Sequence, residues 1–225
     1  MVMGETHRSL WYNSQDAYKF YSSPELVIGV VCDGCGSSPR SEVGAALTAE
    51  FTVNFCRKYF RDGVFTESLL RKGLLNLYDT IAGEIHTFEK SSFIENFLFT
   101  TVVGFLMTPS RTTVFSSGDG IWCVNDQWED IDQNNRPGFL GYHLTRGDEL
   151  PFKCREFNTD EVNRVLVSTD GLSKMFHHDQ DGSRIIDDLF SRDEFFEHPV
   201  LLPKFLSRIN GMKDDISLVM GKRFS

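Results

Sequence analysis

The chain has 225 residues, 40% of them apolar and 24% charged, with 23 Lys and Arg against 32 Asp and Glu for a net charge of −9. These proportions belong to a globular protein long enough to bury a full core, and they exclude a disordered chain, a collagen or a coiled-coil rod. The acidity argues against nucleic acid as a partner, because an evenly negative surface repels phosphate backbones.

Residues 1–12 show neither the apolar core nor the small-residue cleavage pattern of a leader. Residues 25–32 (ELVIGVVC) are apolar and rich in β-branched side chains, and they end at Asp33-Gly34, which predicts a buried strand running into a loop. Val43, Leu47, Phe51, Phe55 and Tyr59 recur every four residues and predict a helix with these side chains as its core face. A second helix is expected over residues 66–88, with Leu69, Leu70, Leu74, Leu77, Ile81 and Ile85 inward. Residues 97–107 and 111–117, separated by Thr108-Pro109-Ser110, predict a hairpin. A tight turn at Gly118-Asp119-Gly120 leads to a short strand over 121–125, then a polar, turn-rich stretch over 126–141. Strands are expected at 152–157 and 164–168, helices at 185–196 and 200–209, and a last strand at 216–220. Strands in runs and helices in runs predict an α+β fold, a central antiparallel β-sandwich flanked by helices on both outer faces. No Pro/Gly/Ser-rich linker divides the chain, so one domain over residues 1–225 is expected. The longest apolar stretch, residues 97–107, falls short of the roughly 20 residues of a membrane helix. Five scattered cysteines (Cys32, Cys35, Cys56, Cys123 and Cys154) predict free thiols in a reducing cytoplasm, with no membrane association.

Four carboxylates share one context. Asp33, Asp119 and Asp170 each follow a predicted strand and precede a glycine, and Asp214 lies just before the last strand. Asp-Gly is a common turn dipeptide, so any one of them alone reads as a turn. Strand ends gathered at one edge of a sandwich would instead bring all four together. Such a group needs cations to stay ionised, and oxygen-only ligands suit hard ions such as magnesium, manganese or calcium. Two ions sharing a carboxylate can clamp a phosphoryl group for in-line attack by a water between them.

The motifs resemble those of the type 2C metal-dependent serine/threonine protein phosphatases, in order over nearly the whole chain. They are Asn13-Ser14-Gln15-Asp16-Ala17, Val31-Cys32-Asp33-Gly34-Cys35-Gly36, Phe99-Thr100-Thr101, Gly118-Asp119, Val167-Ser168-Thr169-Asp170-Gly171-Leu172 and Lys213-Asp214-Asp215-Ile216-Ser217-Leu218-Val219. Gly4-Glu5-Thr6-His7 further resembles a bacterial subgroup. The resemblance implies a four-layer αββα fold and hydrolysis of phosphoserine and phosphothreonine in proteins, opposed by a serine/threonine kinase. It implies Mn2+ or Mg2+ as cofactor. Asp33 would bridge two central ions, the Gly34 carbonyl would bind the second, and Asp170 and Asp214 would complete the first. Asp16 would hold bound waters, and Asp119 with Asp170 would take a third, weaker ion. A monomer is expected.

Three positions depart from the family pattern. Trp11 stands where the phosphate-binding arginine is usual, which leaves His7 or Arg8 to contact the phosphate, or His7 as a surface side chain. Cys35 replaces a histidine found in some members; a redox switch is one reading and a small packed thiol another. Lys174 stands where many members have an acidic residue; contact with phosphate is one reading, and extension into solvent is the expected one. His177-His178 with Asp179 and Asp181 is read as a solvated loop rather than a metal cluster. The alternatives to a protein phosphatase are a hydrolase of small phosphoesters on the same fold, and a catalytically silent phosphoprotein-binding module.

Overall fold

The computed structural model describes residues 1–10, 13–61, 65–86, 89–133, 137–147, 149–176, 182–209 and 213–223. In chain order these form α1 (Glu5–Leu10), β1 (Asp16–Ser22), β2 (Val27–Asp33), α2 (Ser41–Arg61), α3 (Glu67–Gly83), α4 (Lys90–Phe97), β3 (Val102–Met107), β4 (Arg111–Ser117), β5 (Gly120–Val124) and β6 (Gln127–Ile131). The rest are α5 (Tyr142–Arg146), β7 (Lys153–Asn158), a 3-10 turn (Thr159–Glu161), β8 (Arg164–Ser168), α6 (Gly171–Phe176), α7 (Gly182–Ser191), α8 (Glu194–Glu197), α9 (Leu201–Leu206) and β9 (Leu218–Lys222). Two antiparallel sheets result, one in the order β1-β2-β3-β4-β7 and the other β6-β5-β8-β9.

Strand alternation makes the layers. In β2, Ile28, Val30 and Cys32 face the helices α2, α3 and α4, while Val31 faces the other sheet. In β8, Val165 and Val167 join Val31, Val103, Phe105 and Trp122 between the sheets, and Leu166 packs with Leu172, Ile186 and Leu189 on the opposite outer face. Both faces of the central strands are therefore buried, and the architecture is the expected αββα sandwich.

The helix faces differ from the sequence expectation. Val43 and Leu47 stand 39% and 45% exposed, and α2 buries Ala45, Thr48, Ala49, Thr52, Val53 and Cys56 instead. A row of residues spaced by four drifts about 40° per step, so five of them cannot share one face. Small side chains let α2 lie close on the sheet. α3 begins at the Thr66 cap, whose side chain accepts from the Leu69 amide at 3.2 Å, and it stops at Gly83. Residues 90–97 form a separate helix, so strand β3 starts at Val102 rather than at 97. The polar stretch expected as turns contains the edge strand β6, and β1 is a second edge strand with mixed polarity. Both escape a pattern search because few of their side chains are buried: only Asp16 in β1 and Ile131 in β6 are. The helix expected over 185–196 divides into α7 and α8.

Gly171 fixes the approach of β8 to the segment before β9: a Cβ there would lie 1.8 Å from the Asp215 carbonyl oxygen. Gly171→Ala is therefore expected to cost about 3 kcal/mol, measured by urea unfolding, because the obstructing atom is backbone and cannot rotate away.

Candidate active site

The sandwich topology places the carboxylates. Neighbouring strands run in opposite directions, so the start of β1, the end of β2, the start of β3, the end of β4, the end of β8 and the start of β9 all meet one rim. Asp16 opens β1 and pairs in register with Asp33, which closes β2. Asp119 lies in the turn between β4 and β5, Asp170 follows β8, and Asp214 and Asp215 precede β9. A cavity of about 350 Å3 opens on this rim. Asp16, Asp33, Gly34, Cys35, Asp119, Asp170, Asp214 and His7 all line it. Arg8 does not; its guanidinium donates to the Met3 carbonyl at 2.6 Å. Trp11, His177, His178, Asp179 and Asp181 lie outside the described residues.

Each side chain is held by its own local bonds. Thr101 Oγ1 accepts from the Asp33 amide at 3.2 Å, and the Asp33 carbonyl accepts from the Thr101 amide and the Thr100 hydroxyl, both at 2.8 Å. The two threonines thereby fix the end of β2. Thr169 donates its hydroxyl to Asp16 Oδ2 at 2.8 Å and accepts from the Ser217 amide, which ties the first sheet to the second. Asp119 Oδ1 accepts from the Gln133 amide at 3.0 Å. Gly34 has no room for a side chain, since a Cβ would sit 2.7 Å from Ser41 Oγ and 2.8 Å from the Gln15 carbonyl.

Two residues inside the quoted motifs, to which the sequence assigned no role, also hold the site. Asp215, 3% exposed, accepts from the Gly4 amide at 2.8 Å and the Gln15 amide at 3.0 Å, and its Oδ2 stands 2.9 Å from His7 Nδ1. It clips the amino-terminal segment onto the site and orients His7. Gln15 donates its side-chain amide to the Ser38 carbonyl and to Ser41 Oγ, which closes the loop after β2. The signals available were a doubled Asp before the last strand and a Gln before Asp16, and neither says where the chain ends meet.

Lys174 overturns its expected place in solvent. One helical turn after Asp170, its ammonium lies 2.7 Å from Asp170 Oδ2 and 2.5 Å from Asp214 Oδ2. The i, i+4 spacing along α6 brings it back over Asp170.

Crowded like charges leave their mark on the proton equilibria. Burial, and then the charges of Asp16, Asp170 and Asp214, hold the Asp33 carboxyl far above the usual range. Burial first, and repulsion from Asp215 and Asp214, lift Asp16 to about 7 against the Thr169 hydrogen bond. Burial lifts Asp119 to about 6 despite the Gln133 amide. Burial disfavours the Lys174 ammonium, but Asp170 and Asp214 outweigh it and hold the group above the ordinary lysine range. Among the described residues no three ligating side chains are drawn together closely enough to hold one ion as they stand. The donor set nevertheless fits hard divalent cations: it is all oxygen, it repels itself, and a cationic group already bridges two of its members.

The model of the family described as Protein phosphatase 2C matches residues 3–207. The chain belongs to the protein phosphatase 2C family. By that membership it is a metal-dependent protein phosphatase. Among curated proteins no sequence match is found. Its fold is similar to that of the serine/threonine phosphatase Stp1 from Staphylococcus aureus, at 17% identity and a TM-score of 0.64 over 99% of this chain and 92% of that one. The catalytic domain of the serine/threonine protein phosphatase PstP, in complex with two manganese ions, is similar at 15% identity and a TM-score of 0.53, over 92% and 90%. RsbX in complex with magnesium is similar at 14% and 0.51, over 93% and 87%. At these identities the structural likeness shows the fold.

A raised carboxyl pKa means that the folded chain binds protons the unfolded chain has released, so stability falls as pH rises between the two values. In the presence of a chelator the melting temperature should therefore drop as pH goes from 3.8 towards about 6 to 7, the interval set by Asp119 and Asp16. Saturating manganese should flatten that slope in the same thermal scan, since a bound cation takes over the neutralisation.

Proposed function

We propose that this phosphatase hydrolyses phosphoserine and phosphothreonine in proteins, as one catalytic domain over residues 1–225. Two manganese or magnesium ions would be held by Asp33, the Gly34 carbonyl, Asp170 and Asp214, and a third, weaker ion by Asp119 with Asp170. The observation that carries this reading is the convergence of Asp33, Asp119, Asp170 and Asp214 on one cavity. The manganese in PstP and the magnesium in RsbX support the choice of ion. Bound there, the ions supply an activated water and neutralise charge on the phosphoryl oxygens.

The chain's own residues do the positioning. Asp16, held by Thr169, offers its carboxylate from the floor of the cavity to order water. His7 has its Nδ1 engaged by Asp215, which leaves Nε2 for a phosphoryl oxygen, a role that would replace the arginine absent at Trp11. Arg8 bonds elsewhere, so His7 is the better of the two candidates. Pro137, Phe139 and Tyr142 line one side of the cavity and are shared with a second cavity of about 310 Å3 that also contains His143 and Arg146. A peptide flanking the phosphorylated residue has room to run along that wall, which favours a protein over a small phosphoester. The opposing enzyme is then a serine/threonine kinase. All five cysteines are free, which supports a reducing, cytoplasmic setting. No helix among the described residues is long and apolar enough to cross a membrane.

A thiol mechanism is not supported. Cys35 lines the cavity, but its amide donates to the Phe99 carbonyl at 2.9 Å, and no arginine lines the cavity among the described residues. An amide and arginine cradle for phosphate is thus missing around it. Cys35→Ser should keep substantial phosphopeptide hydrolysis with manganese; a dead variant whose parent yields a trapped phosphocysteine would move the chemistry to the thiol.

Hydrolysis of phosphoserine and phosphothreonine peptides should require added manganese or magnesium and vanish with EDTA. Asp33→Asn and Asp170→Asn should each lower the rate on the order of 100-fold while the protein stays folded by circular dichroism. Asp119→Asn should be rescued by higher metal concentration, because its ion is the weaker one. Preference for nucleotides over phosphopeptides would establish the small-molecule alternative, and metal binding without turnover of any phosphoester would establish the silent module.

A further inference from the structure

We propose that the Lys174 ammonium is a tethered counter-ion that occupies the place of a divalent cation between Asp170 and Asp214 and thereby sets how tightly that cation binds. The proposal rests on the metal-site reading above. Its basis is geometric. Lys174 Nζ contacts one oxygen of each carboxylate, at 2.7 and 2.5 Å, although the two belong to segments that meet only in the fold. The position on α6 is imposed by the helix, whose first turn carries the Lys174 amide to the Asp170 carbonyl at 3.0 Å. Among the described residues lining the cavity, Lys174 is the one side chain with a permanent positive charge.

The consequence is a competition. A divalent ion that uses Asp170 and Asp214 must displace the ammonium, and each ion pair lost counts against its binding. A single positive charge is a poor substitute for the ion, since one ammonium neutralises only one of the two carboxylate charges it contacts. The arrangement therefore keeps the metal-free rim from splaying under its own repulsion, at the expense of affinity for the ion. Because the stem is only half-buried, with 43% of the side chain exposed, the displaced ammonium can swing to the cavity mouth without unfolding α6.

Isothermal titration calorimetry of the full chain with manganese tests this directly. Lys174→Met, which keeps the stem and removes the charge, should bind manganese on the order of tenfold more tightly than the wild type. Lys174→Arg, which keeps the charge, should stay nearer the wild type. The metal-free Met variant should also melt lower and gain more from manganese. A second measurement uses the wild type alone: the Lys174 amine should react slowly with an N-hydroxysuccinimide ester in chelator and faster with saturating manganese, read by peptide mass spectrometry. Unchanged or weaker manganese binding by Lys174→Met, or an amine that manganese leaves protected, overturns the proposal while leaving the metal site standing. If the Met variant fails to fold, the labelling result decides. Absence of manganese binding by every variant and the wild type would overturn the metal site itself and this inference with it.

Discussion

The mutual repulsion of carboxylates gathered at one rim is the constraint on which the rest of the site depends. Asp16, Asp33, Asp119, Asp170, Asp214 and Asp215 line one cavity. Left bare, such a group would push apart the strand ends that carry it. Three kinds of compensation act here: proton affinities raised by burial and repulsion at Asp33, Asp16 and Asp119, hydrogen bonds from Thr169 and the Gln133 amide, and the Lys174 ammonium. Divalent cations answer the same need with more charge, and without them the rim has to be held together by other means.

The sandwich supplies the rigidity that such a crowd requires. The rim is anchored by strands buried on both faces, with Val31, Val103 and Val167 between the sheets and Ile28, Val30 and Leu166 against the helices. Cross-links between the sheets run through the site itself: Thr169 bonds both Asp16 and the Ser217 amide, and Asp215 bonds both Gly4 and Gln15. Function and architecture therefore share the same bonds. A substitution at Thr169 or Asp215 would loosen the packing of the amino-terminal segment and the geometry of the cavity together.

Much of this was legible in the sequence where a signal is local. The strands over 111–117 and 164–168 coincide with β4 and β8, because a short β-branched run bounded by turn residues has few other uses. The position of Asp33, Asp119, Asp170 and Asp214 at strand ends was legible for the same reason. The edge strands β1 and β6 were not, since they carry alternating polar residues that also suit loops. The core face of α2 does not follow its large apolar side chains, because close approach to a sheet selects alanine, threonine and valine. Asp170 lies within i, i+4 reach of Lys174, but its second partner, Asp214, is set by a contact between α6 and the segment before β9, 40 residues apart in the chain.

The sequence by itself determined the α+β class, the order of the phosphatase motifs and the oxygen-only chemistry of the candidate ligands. These are properties of residue type and of short-range pattern, and they survive without knowledge of any long-range contact. Only the tertiary structure decided which of the marked residues meet. It brought His7 to Asp215 across 208 positions, turned Arg8 away to the Met3 carbonyl, and set Lys174 between two carboxylates. The reason is that the antiparallel register and the helix phase, not spacing along the chain, determine which strand ends share a rim and where each side chain on it points.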